Sequence, residues 1–240
     1  VIIPSRLSAS RFPGKPLLKI KGLSIISHVY KKAQEANIGE VFVAAEDQEI
    51  IEDVKKNGGE AILTNNNHKT GTDRIYEAFV KLGRTDIDLI MNLQGDEPLM
   101  NIEDIQKLNK HMIQTKRDLG TLAAKINNKK VFENQDIVKV ITEESLDDTK
   151  FPRAINFMRK LDKENNQAYH HLGIYCYNVE ILKRFISLKQ SQNEIENRLE
   201  QLRALDNKIN INVALAKSSP IGVDTQEDFM AIKKIMEYKS

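Results

Sequence analysis

A single cysteine, Cys176, occurs among the 240 residues, which excludes an internal disulfide and favours a reducing compartment. No apolar run reaches the length of a transmembrane helix, and no pattern typical of a secretion signal opens the sequence. The 36 basic and 34 acidic residues leave a formal net charge of only +2, which argues against a nucleic-acid-binding protein with a large basic surface. Because the sequence begins inside an apparent strand, residues 1–3, we expect a few residues to precede it.

Several familiar site motifs are missing as well. The sequence has neither a Walker A loop nor a G-x-G-x-x-G fingerprint, so two common phosphate-binding loops are excluded. No Ser-His-Asp constellation is evident, and the adjacent pair His170-His171 does not have the spacing of zinc ligands. Cys176 lies between two tyrosines in a predicted strand, which favours a buried, inert thiol over a nucleophile.

Short β-rich runs alternate with helical stretches through the first half of the chain. Their order, β-α-β-α, predicts a mostly parallel sheet with helices on both faces, and therefore an α/β protein. Asp47 is a candidate cap of the first of these helices, and Thr72 and Asp73 are candidate caps of the second. The predicted strands cover residues 41–45, 61–63 and 89–93, and the predicted helices cover 48–56, 72–82 and 102–113.

The second half of the chain is less regular. It contains neither a repeat nor a low-complexity linker, which favours one domain with an inserted or appended β-rich lobe. A polar stretch, 160–167, is predicted to be a mobile loop. The predicted strands cover 137–142, 169–177 and 209–216, and the predicted helices cover 181–188, 194–204 and 225–238.

The segment Asn92-Leu-Gln-Gly-Asp-Glu-Pro-Leu99 follows an apolar run and ends at a proline. This is how a buried strand delivers polar groups to the carboxyl edge of an α/β sheet, where such proteins bind ligands. Asp96 offers the hard oxygen that Mg²⁺ binds beside substrate phosphates. A strand followed by an ordinary surface turn is the alternative. A second acid, Asp224, precedes the terminal helix, where it suits a helix start equally well.

The first loop, Pro4 to Pro16, carries Arg6, Arg11 and Lys15, with Gly14 allowing a tight backbone path. Arginine can grip phosphate through two hydrogen bonds, and lysine supplies a compact positive charge. The loop is therefore a candidate phosphate site, and a solvated basic loop is the alternative.

Two further segments carry candidate binding residues. In His68-Lys-Thr-Gly-Thr-Asp-Arg74, backbone groups and Arg74 can meet the edge of a nucleobase, whereas His68 is interpreted as structural or exposed. In the strand that follows His170, alternation places His171 and Tyr175 on one face, where they can bind a polyol or an acid. A half-exposed strand without a ligand is the alternative there.

These segments together resemble the 3-deoxy-manno-octulosonate cytidylyltransferases, also called CMP-KDO synthetases. The resemblance spans nearly the whole chain and keeps the family's order. Any one block is weak, and six in order are highly specific. The blocks are Ile3-Pro-Ser-Arg6 with Arg11-Phe-Pro-Gly-Lys-Pro16, Gly71-Thr-Asp-Arg74, Leu93-Gln-Gly-Asp-Glu-Pro98, His171-Leu-Gly-Ile-Tyr175, Leu199-Glu-Gln-Leu-Arg203 and Gly222-Val-Asp-Thr225.

The resemblance implies that CTP and the eight-carbon sugar acid KDO react to give CMP-KDO and pyrophosphate. It implies that Asp96 and Asp224 coordinate Mg²⁺ as catalytic residues. Arg11 and Lys15 also belong to the catalytic set, holding the triphosphate with Arg6. It implies further substrate-binding residues: Arg74 and Gln94 for the cytidine, and Arg153, His171, Tyr175, Glu200 and Gln201 for the sugar acid.

The resemblance also implies a Rossmann-like, mostly parallel sheet of the nucleotide-diphospho-sugar transferase type, with a smaller β-rich acceptor and dimerisation lobe. Residues 1–125 would then form the nucleotide-binding part of a single domain, 126–220 the acceptor and dimerisation part, and 221–240 a returning metal-site segment with the last helix. The implied partners are CTP, KDO and a second copy of the chain. The implied location is the cytoplasm of a cell that makes lipopolysaccharide, with no role for nucleic acid or membrane.

One block departs from the family. The run Phe151-Pro-Arg-Ala-Ile-Asn-Phe-Met-Arg159 has Pro152 where the family usually has serine and Asn156 where it has proline. Pro152 also removes a backbone donor. Because Arg153 adjoins the sugar site, a related sugar acid, such as an amino-substituted KDO or a nonulosonate, is an alternative acceptor. A nucleotide-binding module without turnover is the alternative of another class, since a fold alone does not imply activity.

Overall fold

The computed structural model describes residues 1–8, 11–161 and 166–238, apart from the side chains of residues 129 and 130. The strands are β1 (Ile2–Ser5), β2 (Lys19–Ile20), β3 (Leu23–Ser24), β4 (Phe42–Ala45), β5 (Ala61–Leu63), β6 (Leu89–Asn92), β7 (Leu119–Ala124), β8 (Lys139–Thr142), β9 (Ala154–Met158), β10 (Ala168–Asn178) and β11 (Ile211–Leu215). The α-helices are α1 (Ile25–Glu35), α2 (Gln48–Lys56), α3 (Gly71–Leu82), α4 (Ile102–Thr115), α5 (Lys129–Glu133), α6 (Val179–Ser187), α7 (Gln192–Asn197), α8 (Gln201–Asp206) and α9 (Gln226–Tyr238).

The chain forms two compact units. Unit 1 comprises Val1–Asp86, Asn92–Ile102 and Pro220–Ser240, and unit 2 comprises Ile87–Met91 and Glu103–Ser219. The boundaries between the two units differ from the boundaries of the three parts predicted from the sequence. Helix α4 and strand β7 belong to unit 2, because β7 pairs with β10 and β11 of that unit.

Unit 1 is built on parallel strands. Strand β1 pairs in parallel with β4 along its whole length, and β4 pairs in parallel with β5. On the other side of β1, Ile2 pairs with Asn92 at the end of β6. Helices α1, α2 and α3 each bury one apolar face. The helical spacing predicts α2 and α3, whereas α1 is not among the predicted helices. The predicted α/β class and the parallel pairing are confirmed here.

Unit 2 is mixed. Strand β7 lies between β11, which is parallel to it, and β10, which is antiparallel. Strands β8 and β9 continue from β10 as an antiparallel extension. This is the β-rich part that the sequence predicts. Strands β7 and β9 have no counterpart among the predicted strands. All six residues of β7 are buried, so the strand shows no alternation that would mark it in the sequence.

Two local predictions are wrong. The helix predicted over 194–204 is two helices, α7 and α8, because Arg198 adopts a left-handed backbone with φ of 53° and ends α7. Asp47 precedes α2, but its carboxylate makes no capping hydrogen bond to that helix.

The loop predicted over 160–167 lies partly outside the described residues. Within the described part of the chain, no helix has the length and apolar character needed to span a membrane.

Candidate nucleotide and metal site

The strand-end segment of unit 1 comes close to the first strand. Residues 93–97 leave β6 and pass beside β1, and a Cβ at Gly95 would lie 2.8 Å from the carbonyl oxygen of Pro4. Only glycine leaves room for this approach. It places Asp96 beside the end of β1, where the basic loop begins.

A second segment of unit 1 is hydrogen-bonded onto the first. The backbone N–H of Val223 donates to the carbonyl of Asp96 at 2.9 Å. The ammonium of Lys15 donates to the carbonyl of Val223 at 2.6 Å. These bonds bring Asp224 to the same place as Asp96, a convergence that the sequence left open.

Lys15 joins the two acids. Its Nζ lies 2.6 Å from Oδ2 of Asp96 and 3.2 Å from Oδ1 of Asp224. The Lys15 side chain is only 12% exposed, whereas Asp96 and Asp224 are 29% and 44% exposed. The other oxygen of Asp224 contacts Nη2 of Arg11 at 2.9 Å. The two carboxylates thus lie on either side of a cation and remain open to the solvent.

Glu97 adds a third carboxyl that the sequence analysis missed. Its burial and the neighbouring Asp96 and Asp224 raise its pKa to about 8, although Lys15 acts in the opposite direction. Its Oε2 is buried and has no hydrogen-bond partner among the described residues. Glu97 is therefore largely protonated at neutral pH. The sequence signal was its place beside Asp96 in the Gly-Asp-Glu-Pro turn.

The donor set fits Mg²⁺. Hard carboxylate oxygens from Asp96 and Asp224 already surround a positive charge, the ammonium of Lys15. No group of three or more His, Cys, Asp or Glu side chains within the described ranges is arranged as a metal site. Mg²⁺ needs no such group, because it commonly takes one or two carboxylates together with waters and substrate phosphates.

The basic loop is tied to the end of strand β4. The N–H of Leu7 donates to Oδ2 of Asp47 at 2.7 Å, and the N–H of Gly14 donates to the carbonyl of Leu7 at 3.0 Å. Gly14 has φ of 74°, a left-handed conformation that glycine adopts without strain. Residues 9 and 10 of the loop lie outside the described part. Asp47 thus fixes the loop instead of capping a helix.

Arg74 is buried on helix α3. Its Nη1 donates to Oγ1 of Thr64 at 2.6 Å and to the carbonyl of Asn65, and its Nη2 contacts Oε2 of Glu46.

Helix α3 is capped by Thr70, whose side chain accepts from the N–H of Asp73 while the side chain of Asp73 accepts from the N–H of Thr70. The predicted capping role is confirmed for Asp73, whereas the N-cap is Thr70 and not Thr72, which is the second residue of the helix.

One cavity collects the predicted nucleotide and metal residues. It measures about 310 Å³, within the usual range for small-molecule sites. His68 also lines the cavity. Its imidazole contacts the carboxylate of Glu77, which agrees with the structural role predicted for it. The predicted residues that line the cavity are Arg6, Arg11, Lys15, Arg74, Gln94, Asp96 and Asp224.

The predicted acceptor residues lie in unit 2. A bulge in β10 between Leu172 and Tyr175 separates His171 from Tyr175, yet their ring centroids are 5.4 Å apart. Burial lowers the pKa of His171 to about 3, so its imidazole is neutral at physiological pH. Its Nε2 lies 3.1 Å from the hydroxyl of Thr121. Burial, with Tyr177 and Glu200 nearby, raises the pKa of Tyr175 well above its usual value.

Glu200 and Gln201 stand at the start of helix α8. The helix is anchored by Arg203, which makes two hydrogen bonds to the Glu194 carboxylate, at 2.6 and 2.8 Å. The guanidinium carbon of Arg203 also lies 4.7 Å from the centre of the Phe185 ring. Both members of the ion pair are 4% exposed. The pair therefore fixes the turn that presents Glu200 and Gln201.

The departing segment is bonded to strand β11. The N–H of Val213 donates to the carbonyl of Pro152 at 2.8 Å, and Nδ2 of Asn212 donates to the carbonyl of Phe151 at 2.6 Å. The segment takes part in these hydrogen bonds only as an acceptor, through its carbonyl groups. The missing N–H of Pro152 therefore removes neither of the two bonds. The Arg153 side chain is exposed, and none of the described residues forms a hydrogen bond or an ion pair with it.

Comparisons with known proteins show what the whole chain is similar to. A family model described as cytidylyltransferase matches residues 1–211. A 3-deoxy-manno-octulosonate cytidylyltransferase of Thermodesulfovibrio yellowstonii is 43% identical, over 98% of this chain and 96% of its own. The enzyme of the same name from Afipia carboxidovorans is 41% identical over the same shares.

Solved structures show the same fold. A CMP:2-keto-3-deoxy-manno-octonic acid synthetase complexed with CTP superposes with a TM-score of 0.89 at 33% identity, covering 100% of this chain and 98% of its own. A UDP-glucose pyrophosphorylase complexed with UDP-glucose reaches a TM-score of 0.73 at 13% identity, covering 100% and 98%. The second similarity shows the fold alone. Together the two structures confirm the predicted Rossmann-like, mostly parallel sheet flanked by helices.

Proposed function

Since the chain belongs to the 3-deoxy-manno-octulosonate cytidylyltransferase family, we propose that it transfers CMP from CTP to the anomeric hydroxyl of KDO and releases pyrophosphate. The observation that carries the proposal is the convergence of Lys15, Asp96 and Asp224, from three distant segments, in one cavity. This arrangement suits a polyphosphate and a divalent cation together. The relatives that carry the same name cover nearly the whole chain.

The chemistry requires positive charge at the reaction centre. The anomeric hydroxyl loses its proton to the solvent, and its oxygen forms a bond to the α-phosphorus while the bond between that phosphorus and the pyrophosphate oxygen breaks. Because an anionic sugar acid approaches an anionic triphosphate, cations lower the barrier. Arg6, Arg11 and Lys15 line the cavity and would hold the phosphates. No covalent enzyme intermediate is needed.

Asp96 and Asp224 would hold Mg²⁺, which supplies Lewis-acid stabilisation of phosphate charge when bound. The ammonium of Lys15 contacts both carboxylates, and it would turn its donors toward phosphate oxygens once the carboxylates hold another cation.

Arg74 and Gln94 would recognise the cytosine. Both line the cavity, and both come from segments that adjoin the end of β1. Arg74 is 3% exposed, and its contacts with Glu46, Thr64 and Asn65 fix its guanidinium. A fixed set of donors suits base recognition, because little side-chain entropy is lost on binding.

The acceptor would bind through unit 2. Arg153 is exposed and would pair with the sugar carboxylate, because a planar guanidinium matches a carboxylate. The neutral imidazole of His171 and the phenol of Tyr175 would bond to hydroxyl groups. Glu200 and Gln201, at the start of α8, would complete the pocket. Pro152 and Asn156 would tune the choice of acceptor, and they leave the cytidylyl chemistry unchanged.

An acceptor panel tests the proposal. Pyrophosphate release from CTP is measured with KDO, with 8-amino-KDO and with a nonulosonate, each with and without Mg²⁺. We expect release with KDO and Mg²⁺ together. Release with another sugar acid but not KDO would leave the cytidylyltransferase class standing and replace the acceptor. Calorimetric binding of CTP without turnover of any acceptor would favour the non-catalytic module.

The setting of the reaction is part of the same proposal. The product would feed lipopolysaccharide assembly, the enzyme would act in the cytoplasm, and it would work as a homodimer with neither nucleic acid nor a membrane as partner. Light scattering at working concentration tests the dimer, and a mass near 27.4 kDa would show a monomer instead.

A further inference from the structure

Two adjacent acids at the end of strand β4 contact the groups that would hold the nucleotide. Glu46 contacts Arg74, and Asp47 accepts from the backbone of the basic loop. Neither acid was a candidate site residue in the sequence. Both acids, Arg74 and the basic loop belong to unit 1. The turn that holds Glu46 and Asp47 therefore contacts both the arginine that would bind the base and the loop that would bind the phosphates.

Glu46 compensates the charge of a buried arginine. The Arg74 side chain is 4% exposed and the Glu46 side chain 12% exposed. A guanidinium at this depth requires a counter-charge and hydrogen-bond acceptors. Thr64 and Asn65 satisfy Nη1, and Glu46 takes one N–H of Nη2. These contacts fix the orientation of the guanidinium plane before any ligand binds.

Two donors of Arg74 are left for a ligand. A guanidinium carries five N–H groups, and the contacts above use three of them. None of the described residues accepts from Nε–H or from the second N–H of Nη2, while Arg74 lines the cavity. Cytosine presents two neighbouring acceptors, N3 and O2, whereas N3 of uracil carries a hydrogen. Two correctly oriented donors therefore favour cytosine over uracil.

Asp47 acts on the other half of the site. Its Oδ2 accepts from the N–H of Leu7 at 2.7 Å, within the loop that carries Arg6 and Arg11. The hydroxyl of Ser8 also donates to Oε1 of Glu46 at 3.3 Å. The loop is thus bonded to Asp47 through a backbone N–H and to Glu46 through the hydroxyl of Ser8.

We infer that Glu46 is the positioning residue for cytosine selection through Arg74, and that Asp47 is the positioning residue for the phosphate loop. The inference rests on the proposed function, because it requires CTP to be the nucleotide in the cavity. It predicts that substitutions at two neighbouring positions change different properties of nucleotide use.

The test compares Glu46→Gln, Asp47→Ala and the control Glu40→Gln, an exposed acid paired with Arg84. For each, kcat/KM is measured with CTP and with UTP. We expect Glu46→Gln to lower the CTP/UTP ratio by roughly tenfold or more, chiefly through the KM for CTP. Asp47→Ala should raise KM for both nucleotides similarly and leave the ratio unchanged, and Glu40→Gln should change neither.

A second variant covers a loss of folding in Glu46→Gln, which thermal melting would reveal. Glu46→Asp keeps the charge but withdraws it by one methylene, and its ratio should fall below that of the unaltered protein. A normal ratio in a folded Glu46 variant, or a changed ratio in Asp47→Ala, would overturn the inference. If the unaltered protein shows no turnover of CTP, the proposed function fails, and calorimetric affinities for Mg-CTP and Mg-UTP then test the inference by the same ratio.

Discussion

The ammonium nitrogen of Lys15 lies 2.6 Å from Oδ2 of Asp96, although the two residues are separated by 81 positions in the chain. Asp224 joins the same cation from 209 positions away. The contact is held from both sides, since Val223 bonds to the backbone of Asp96 and also accepts from Lys15. A basic loop, a strand end and the segment before the last helix therefore form one charged centre.

Asp96→Asn should remove most of the activity and leave the fold intact. Asparagine keeps the shape of the side chain and removes the charge that Mg²⁺ requires. We expect the rate at saturating CTP to fall on the order of a hundredfold or more. Steady-state kinetics over a range of Mg²⁺ concentrations measure the loss, with circular dichroism as the folding check.

The matched control is Asp86→Asn, an exposed acid of unit 1 paired with Arg84. It should retain the normal rate. A near-normal rate of Asp96→Asn at high Mg²⁺ would make Asp96 a turn residue only. Asp224→Asn should behave as Asp96→Asn does, because the two carboxylates share the same cation.

Lys15→Ala and Arg11→Ala should weaken CTP binding more than sugar binding. Each removes a charge that would face phosphate oxygens, and we expect roughly a tenfold rise in KM for CTP. The salt dependence of CTP binding should become shallower, because fewer charges attract the triphosphate. Calorimetry at two ionic strengths measures both effects. Unchanged affinity and salt dependence in both variants would leave the loop as solvated surface.

Glu77 gives a prediction for stability against pH. Its burial raises its pKa, but hydrogen bonds from Lys81, His68 and Asn65 outweigh the burial and lower it to about 2. Its contribution is therefore fully present above its unfolded pKa, near 4.5, and is lost as the pH falls toward 2. Glu77→Gln should lower the free energy of unfolding by about 1–2 kcal/mol at pH 7, after allowance for solvent screening.

Urea unfolding at pH 7 and at pH 3 separates this effect from a general loss of packing. The difference between Glu77→Gln and the unaltered protein should shrink at the lower pH. Glu35→Gln, in an exposed pair with Lys32, is the control and should change little at either pH. A difference that stays constant with pH would contradict the assigned ion pairs.

The ion pair between Glu194 and Arg203 should matter for stability and for the acceptor. Removing one partner leaves a buried charge unpaired, so Glu194→Ala should cost about 3–5 kcal/mol in the free energy of unfolding. Variants that remain folded at low temperature should show a raised KM for KDO and an unchanged KM for CTP, because α8 presents Glu200 and Gln201. Equal changes in both KM values would point to a general disturbance.

Local patterns predicted most of the fold. Short apolar runs identify the mostly buried parallel strands of unit 1, and helical spacing identifies α2 and α3, which each bury one face. They fail for β7, whose six residues are all buried, and at Arg198, where a left-handed residue breaks an otherwise helical run. Neither feature leaves a periodic signal.

The site was predictable where its chemistry is carried by unusual residues. Lys15 and Asp96 each follow a glycine, Asp224 lies two residues after Gly222, and the fold brings the three charges into contact. Glu46, Asp47 and Glu97 act through tertiary contacts, and each looks in the sequence like an ordinary acid at a strand end or turn. Their roles follow only from the partners that the fold gives them.

The most direct test of the proposed reaction is a ³¹P NMR spectrum of the protein incubated with CTP, KDO and Mg²⁺. We expect the triphosphate signals to be replaced by those of a CMP phosphodiester and of pyrophosphate, with no change when KDO is omitted. Triphosphate signals that persist in the complete mixture, or pyrophosphate that forms equally without KDO, would contradict the proposed transfer of CMP to the sugar acid.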